Sequence, residues 1–427
     1  MKRQAPALHK PVDRVRQYFA DLGPGLITGA ADDDPSGIST YSVTGAAFGY
    51  LPLWTALFSF PLMSAVQLMC ARLGLVTGRG LAGVVRLHYP RWVLWSACGL
   101  LIVANVFNIG ADLGGMAEAT EMMTGVPSYC WTPVYALLII SLLFFSSYRQ
   151  IARIFKWLTL VLFAYVATAF LARPDWRAVL SGTFLPHVVW SSAFLATFVG
   201  ILGTTISPYL FFWQASQEVE SERAQGKVTV EQREGATTAE LNAARTDVFT
   251  GMFFSNLIMF FIILTAAATL HAHGQTRIET ARQAAEALRP LAGKGAYLLF
   301  TLGLIGTGML AIPVLAGSVA YAVSEAAAWR GTLEDRPRLS RRFYASIAVA
   351  VLLGLVLDFV GLNAVKMLFY SAVLNGVLAP PLIILVVLLT GKSEVMGVRV
   401  SSRRLRWFGW ATAAIMTAAC VGMFVTL

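Results

Sequence analysis

Charge is scarce in this chain. Asp, Glu, Lys and Arg make up 13% of its 427 residues and 57% are hydrophobic, against roughly 25% charged in an ordinary soluble domain. With a mean hydropathy of +0.65, that shortage excludes a soluble globule and a disordered chain. Cysteine is nearly as sparse: Cys70, Cys98, Cys130 and Cys420 lie far apart with no Cys-x-x-Cys or Cys/His spacing, which excludes a zinc module and a disulfide scaffold. The histidines His9, His88, His187, His271 and His273 fall in loops or at membrane edges. No imidazole is placed to relay a proton through the middle of the bilayer.

What is present is long apolar runs. A spanning helix needs about 20 mostly apolar residues, and eleven segments qualify: 22–47, 51–73, 92–116, 131–148, 154–172, 189–213, 247–270, 296–325, 343–361, 364–390 and 405–427. The expected fold is an all-α polytopic membrane protein. With the N-terminus placed in the cytoplasm, 26 of the 33 basic residues lie in inside segments, 6 lie outside, and Lys366 starts the tenth span. This is the positive-inside pattern, and it sets the C-terminus outside. The net charge of +10 is thereby sorted by membrane side, and no nucleic-acid partner is implied. Residues 1–21 read as a cytoplasmic N-terminal segment. Residues 214–246 read as a cytoplasmic connector with a short amphipathic helix, and no soluble domain remains.

Two spans are interrupted. The first carries Asp32-Asp33-Asp34-Pro35-Ser36-Gly37 near its middle. Pro35 removes a backbone donor and Gly37 permits non-helical torsions, so carbonyls around Asp34 are expected to lose their intrahelical partners. Carboxylates cost roughly 2.5–3.5 kcal/mol each at a bilayer centre, and irregular backbone survives there only where it lines a cavity or binds something. The sixth span repeats the event with Gly203-Thr204-Thr205-Ile206-Ser207-Pro208-Tyr209. If each opens a block of five helices, residues 22–172 and 189–390 form an inverted repeat, with 405–427 as an eleventh helix. Paired broken helices at matching places mark the central site of a secondary transporter. The plainer alternative is two ordinary kinks.

These residues resemble the Nramp family of divalent-metal transporters, and most closely its Nramp-related magnesium transporter branch, over nearly the whole chain. The resemblance implies a LeuT-type fold of five plus five helices with helices 1 and 6 broken. The family's first-helix motif is Asp-Pro-Gly-Asn, where this chain has Asp34-Pro35-Ser36-Gly37. The aspartate is kept and Gly37 stands at the asparagine ligand. The sixth-helix motif is Met-Pro-His preceded by an alanine whose carbonyl binds metal; here Ser207-Pro208-Tyr209 and Thr204 stand at those places. Loss of a soft thioether disfavours manganese and iron relative to hard ions, and magnesium keeps several waters while binding one or two carboxylates. The expected substrate is a largely hydrated magnesium ion, with manganese also accepted, held by Asp34 and contacted by Thr204, Thr205 and Ser207 directly or through water. No cofactor is expected.

Other polar residues are weaker candidates. Asp32 and Asp33 point about 100° apart on a helix and read either as vestibule charge or as a solvated helix end. Asn105, Asn108 and Asp112 share a face of the third span. By the resemblance that segment carries proton-transfer acids; Asp112 is retained while Asn105 and Gly115 replace two glutamates, so transport without proton coupling is expected. Asn375 in the tenth span, which approaches the site in the family, is a candidate outer ligand or an interhelical hydrogen bond. A monomer in a cell membrane, a bacterial inner membrane, is expected. The rivals are a proton-coupled manganese or iron symporter, an amino-acid carrier of the same architecture, and a membrane-embedded enzyme. The last would need a nucleophile, base or metal cluster that the sequence does not show.

Overall fold

The computed structural model describes residues 23–146, 150–151, 160–361 and 363–426. Expectations resting on 1–22, on the basic residues between the fourth and fifth spans, and on the first part of the fifth span lie outside the described residues. Those described fold into helices: α1 (Pro24–Asp32), α2 (Pro35–Phe48), α3 (Trp54–Thr77), α4 (Leu81–His88), α5 (Arg91–Thr124), α6 (Ser128–Phe145), α7 (Phe163–Leu171) and α8 (Trp176–Phe184). There follow α9 (Ser192–Thr205), α10 (Pro208–Ala224), α11 (Thr238–Thr269), α12 (Ala296–Ala326), α13 (Arg341–Asp358), α14 (Ala364–Gly391) and α15 (Arg403–Thr426). Among the described residues, eight helical segments are long and apolar enough to cross a membrane. Of the eleven expected segments, three fall short of that measure. The first is split into halves of 9 and 14 residues, the fifth is described only from Leu160, and the ninth carries Arg341, Arg342 and Asp358 at its ends.

The two breaks have the same local cause. Asp34 caps α2, its Oδ1 accepting the Gly37 N–H at 2.7 Å, with Pro35 in the first helical position, where the missing N–H costs nothing. Ser207 and Pro208 occupy the same two places at the start of α10. Continuous helix therefore stops at Asp32 and at Thr205 and resumes after two residues. The carbonyl of Asp34 itself is not freed, contrary to expectation: it accepts the Ile38 N–H at 3.0 Å and starts the α2 ladder.

Close packing sets the broken helices in place. A Cβ on Gly29 would meet the Gly251 backbone, one on Gly251 would meet Gly25, and one on Gly25 would meet Val248, so α1 and α11 touch backbone to backbone. The second broken helix has a matching seam, with Gly203 of α9 against Ala372 and Gly376 of α14. The connector expected at 214–246 is shorter than the hydropathy profile implied. Helix α10 continues to Ala224, a single turn covers Val230–Arg233 and α11 begins at Thr238. There Lys227 pairs with Glu222 and Glu240 at 2.9 and 2.8 Å.

Large apolar side chains such as Trp92, Leu137, Phe145, Trp190, Val356 and Trp407 are exposed. They form the outer surface that lipid covers. Trp213, at the end of the sixth apolar segment, is fully buried beneath Tyr321, ring centroids 6.2 Å apart, because α10 carries the chain well past it before the helix ends.

Candidate functional site

The three aspartates at the first break diverge, as the helical angle required. Asp32 Oδ2 accepts the Ser255 hydroxyl of α11 at 2.6 Å, and Asp33 Oδ1 lies 3.4 Å from the same hydroxyl. Asp34 turns the other way, toward α5, where Asn108 donates its side-chain N–H to Asp34 Oδ2 at 2.7 Å. All three are buried, at 0, 4 and 3% exposure, so Asp32 and Asp33 are not a solvated helix end in this conformation. Among the described residues the ion pairs are Arg79–Glu234, Arg223–Glu220 and the two made by Lys227. None reaches these carboxylates, so their charge is not matched by a basic side chain.

The second break supplies oxygen. Ser207 is buried, and its hydroxyl lies 2.7 Å from the Gly203 carbonyl and 2.8 Å from that of Thr204. The Thr204 carbonyl, expected to be open to an ion, thus already receives a hydroxyl in this conformation. The Thr204 hydroxyl sits 2.9 Å from both Tyr41 Oη and the Ile201 carbonyl. The Thr205 hydroxyl is tied back to Ile201 at 2.9 Å, a bond internal to α9. Tyr209 does not offer its hydroxyl to the site either; it donates to the Ala31 carbonyl at 2.9 Å and ties the start of α10 to the end of α1. Gly37 contributes its N–H to Asp34, and the space a side chain would fill there is bounded by Asp34 Oδ1, the Tyr41 ring and the Asp32 carbonyl.

Buried polar atoms without protein partners are unusual and call for an explanation. Around this break they include Asp32 Oδ1, Ser36 Oγ, Thr40 Oγ1, Asn108 Oδ1 and both oxygens of Asp112, and Asn375 has neither side-chain atom bonded. The α5 stripe divides its work: Asn105 donates to the Leu315 carbonyl and Ser318 hydroxyl of α12, both at 2.8 Å, while Asn108 serves Asp34. In α14, Ser371 bonds back to Leu368 and Tyr370 is half exposed, which leaves Asn375 as the buried polar side chain of that stretch with no partner. Among the described residues no three His, Cys, Asp or Glu side chains converge as a metal cage. One capped carboxylate, hydroxyls and main-chain carbonyls fit a hard ion that keeps water.

Other residues hold the site that the sequence reading passed over. Asp247, at the start of α11, accepts the main-chain N–H groups of Gly23, Gly25 and Leu26 at 2.9, 2.6 and 3.1 Å. It replaces the cap that α1 lacks in its own sequence. The Thr28 hydroxyl meets Gln214 Oε1 at 2.7 Å, and Gln214 donates to Glu218 at 2.9 Å. Gln67, deep in α3, has neither side-chain oxygen nor nitrogen partnered. An acid or amide within an apolar run was the available signal for each, as it was for Asn108.

Comparison with known proteins agrees with this arrangement. The chain is 28% identical over 415 residues to the divalent metal cation transporter MntH of Deinococcus radiodurans, covering 95% of this chain and 89% of that protein. It is 27% identical over 410 residues to MntH of Klebsiella pneumoniae subsp. pneumoniae, covering 94% and 92%. Among solved structures, the manganese transporter of Eremococcus coleocola superposes with a TM-score of 0.73 at 20% identity, covering 97% of this chain and 87% of that one. Mhp1, a nucleobase-cation-symport-1 family transporter, superposes with 0.59 at 16%, covering 95% and 89%. The LeuT-type fold with broken helices 1 and 6 is thus shared. The sequence profile of natural resistance-associated macrophage protein-like proteins matches residues 25–426, and the chain belongs to the Nramp family.

Proposed function

We propose that this chain is a secondary transporter of divalent metal ions that carries magnesium, partly hydrated, with manganese also accepted. It works by alternating access between the two inverted repeats, without proton coupling. The observation that carries the reading is the pairing of Asp34, capped and held by Asn108, with Ser207 at the opposite break. A carboxylate at one helix start is matched by a hydroxyl, and not a thioether, at the other. Asp34 is the anchoring ligand. Ser207, Thr204 and Thr205 reach the ion or its water when their back-bonds release, Gly37 leaves room for that water, and Asn375 closes the outer side.

Soft sulfur distinguishes manganese from magnesium, whereas oxygen donors with open space favour a hydrated hard ion. Asp32 and Asp33 add negative potential along the path, with Tyr209, Asn105, Asn108 and Asp112 behind the ligands. Two positive charges crossing 100 mV release about 4.6 kcal/mol, enough to drive uptake in a monomer of a bacterial inner membrane with no second ion. The ends of α1 and α9 bring partial negative charge to the ion.

A proton-coupled manganese carrier is the second reading. It draws on the relatives named for manganese and divalent metals and on the buried acid Asp112. Purified protein in liposomes separates the two. Magnesium that competes with manganese uptake, with no change of internal pH, supports the first, and manganese uptake indifferent to excess magnesium supports the second.

A further inference from the structure

The face of α5 that reaches Asp34 continues beyond Asn108. Asp112 follows one helical turn later and points the same way. One turn beyond it, Met116 lies against Gly308 of α12, and Pro35 reaches the same glycine. Asp112 is therefore bracketed by two residues that both adjoin the start of α2. It is beside the Ser36 main chain and within electrostatic range of Asp34.

The Asp112 side chain is fully buried, and the Ser36 main chain is the one polar neighbour its carboxylate has within reach among the described residues. No ion pair among the described residues includes it. Asn108 Oδ1, its neighbour one turn back, is also buried and unpartnered, and the Ser36 hydroxyl on the other side lies toward Asp34. A lone carboxylate in such surroundings is strongly unfavourable unless something pairs with it. The fold nevertheless keeps it against the broken helix.

We propose that Asp112 is a second carboxylate for the transported divalent cation, acting with Asp34 through the ion's retained water. It is a positioning residue that sets the charge of the site. A second carboxylate on the α5 side, opposite to the side where Asp32 and Asp33 meet Ser255, adds to the negative charge that Asp34 presents to a doubly charged ion in the bilayer. Asn108 Oδ1 then finds its missing partner in the same water shell. The inference rests on the reading that Asp34 holds the ion.

The test is calorimetric titration of Mg2+ and of Mn2+ into the purified full chain and into Asp34→Asn, Asp112→Asn and Asp112→Glu variants, with uptake into proteoliposomes alongside. Asp112→Asn keeps the shape and removes the charge, and is expected to raise Kd and KM by about tenfold or more while kcat stays within about twofold. Asp112→Glu, which keeps the charge, is expected to restore most of the affinity. If Asp112→Asn does not yield a folded protein, Asp112→Ser takes its place with the same expectation. Wild-type affinity in the uncharged variant, with binding lost in Asp34→Asn, overturns this inference and leaves the Asp34 assignment standing. Wild-type affinity in Asp34→Asn overturns the assignment beneath it.

Discussion

Asp247 and Gly25 are 222 residues apart in sequence and joined by a 2.6 Å hydrogen bond from the glycine N–H to the carboxylate. With the bonds from Gly23 and Leu26, this makes one side chain of α11 the cap of α1. The half-helix that ends at Asp32 is consequently fastened at both ends to α11, by Asp247 at its start and by Ser255 at its end.

Asp247→Ala strands three main-chain N–H groups. Hydrogen bonds to a charged acceptor contribute about 1.5–3 kcal/mol each, net of exchange with water, so thermal unfolding in detergent is expected several degrees below wild type. Ala31 is fully buried at the inner end of α1. A cysteine placed there is expected to react faster with an impermeant thiol reagent when Asp247 is also Ala. Equal labelling rates with and without Asp247 would show that the cap does not hold the half-helix shut.

Gly29→Ala places a methyl group into the Gly251 main chain, where no flexible side chain can yield. The cost is expected at about 1–3 kcal/mol, with α1 displaced from α11. Gly125→Ala serves as the control on stability, since nothing lies within 4 Å of that position while its φ of +73° strains any side chain. A Gly29→Ala midpoint at or above that of wild type would contradict backbone contact along this seam.

Ser207→Met restores a thioether at the start of α10. Thiophilic ions gain and hard ions lose by the same change, so cadmium and manganese are expected to inhibit magnesium uptake at concentrations lower by about tenfold. Competition uptake in liposomes reads this directly, and an unchanged order of inhibition would remove Ser207 from the site.

The staple between α10 and α11 is expected to matter little. Lys227 is held by Glu240 and Glu222, which raise its pKa above the ordinary lysine range. A raised folded-state pKa gives stability that is complete below the unfolded value and fades as pH climbs through the folded one. Its share is therefore constant at neutral pH and falls only in strong alkali. Lys227→Ala is expected to cost about 1 kcal/mol or less because the pair is partly exposed. A loss of several kcal/mol at neutral pH would show that the connector does more.

Both breaks were readable in the chain because Pro35 and Pro208 act locally, each at the first position of a new helix, with the acid Asp34 capping one of them and Ser207 standing at the start of the other. The family assignment was carried by the same few positions. Asp247 and Ser255 were not readable as partners of the first break, since their contacts span more than two hundred residues and neither interrupts a periodic pattern. The α10 extension was hidden for a different reason. From Gln214 to Ala224 hydropathy falls, but Gln, Glu, Ser and Arg still favour helix, so a profile tuned to apolar runs ends the element too early.

The most direct test of the central claim is metal flux into liposomes holding the purified chain, with membrane potential fixed, a pH dye inside, and magnesium, manganese and calcium compared in one series. Magnesium entry that rises with inside-negative potential, leaves internal pH flat and disappears in Asp34→Asn is the predicted result. Manganese entry that acidifies the interior in proportion to flux while magnesium stays outside would contradict it.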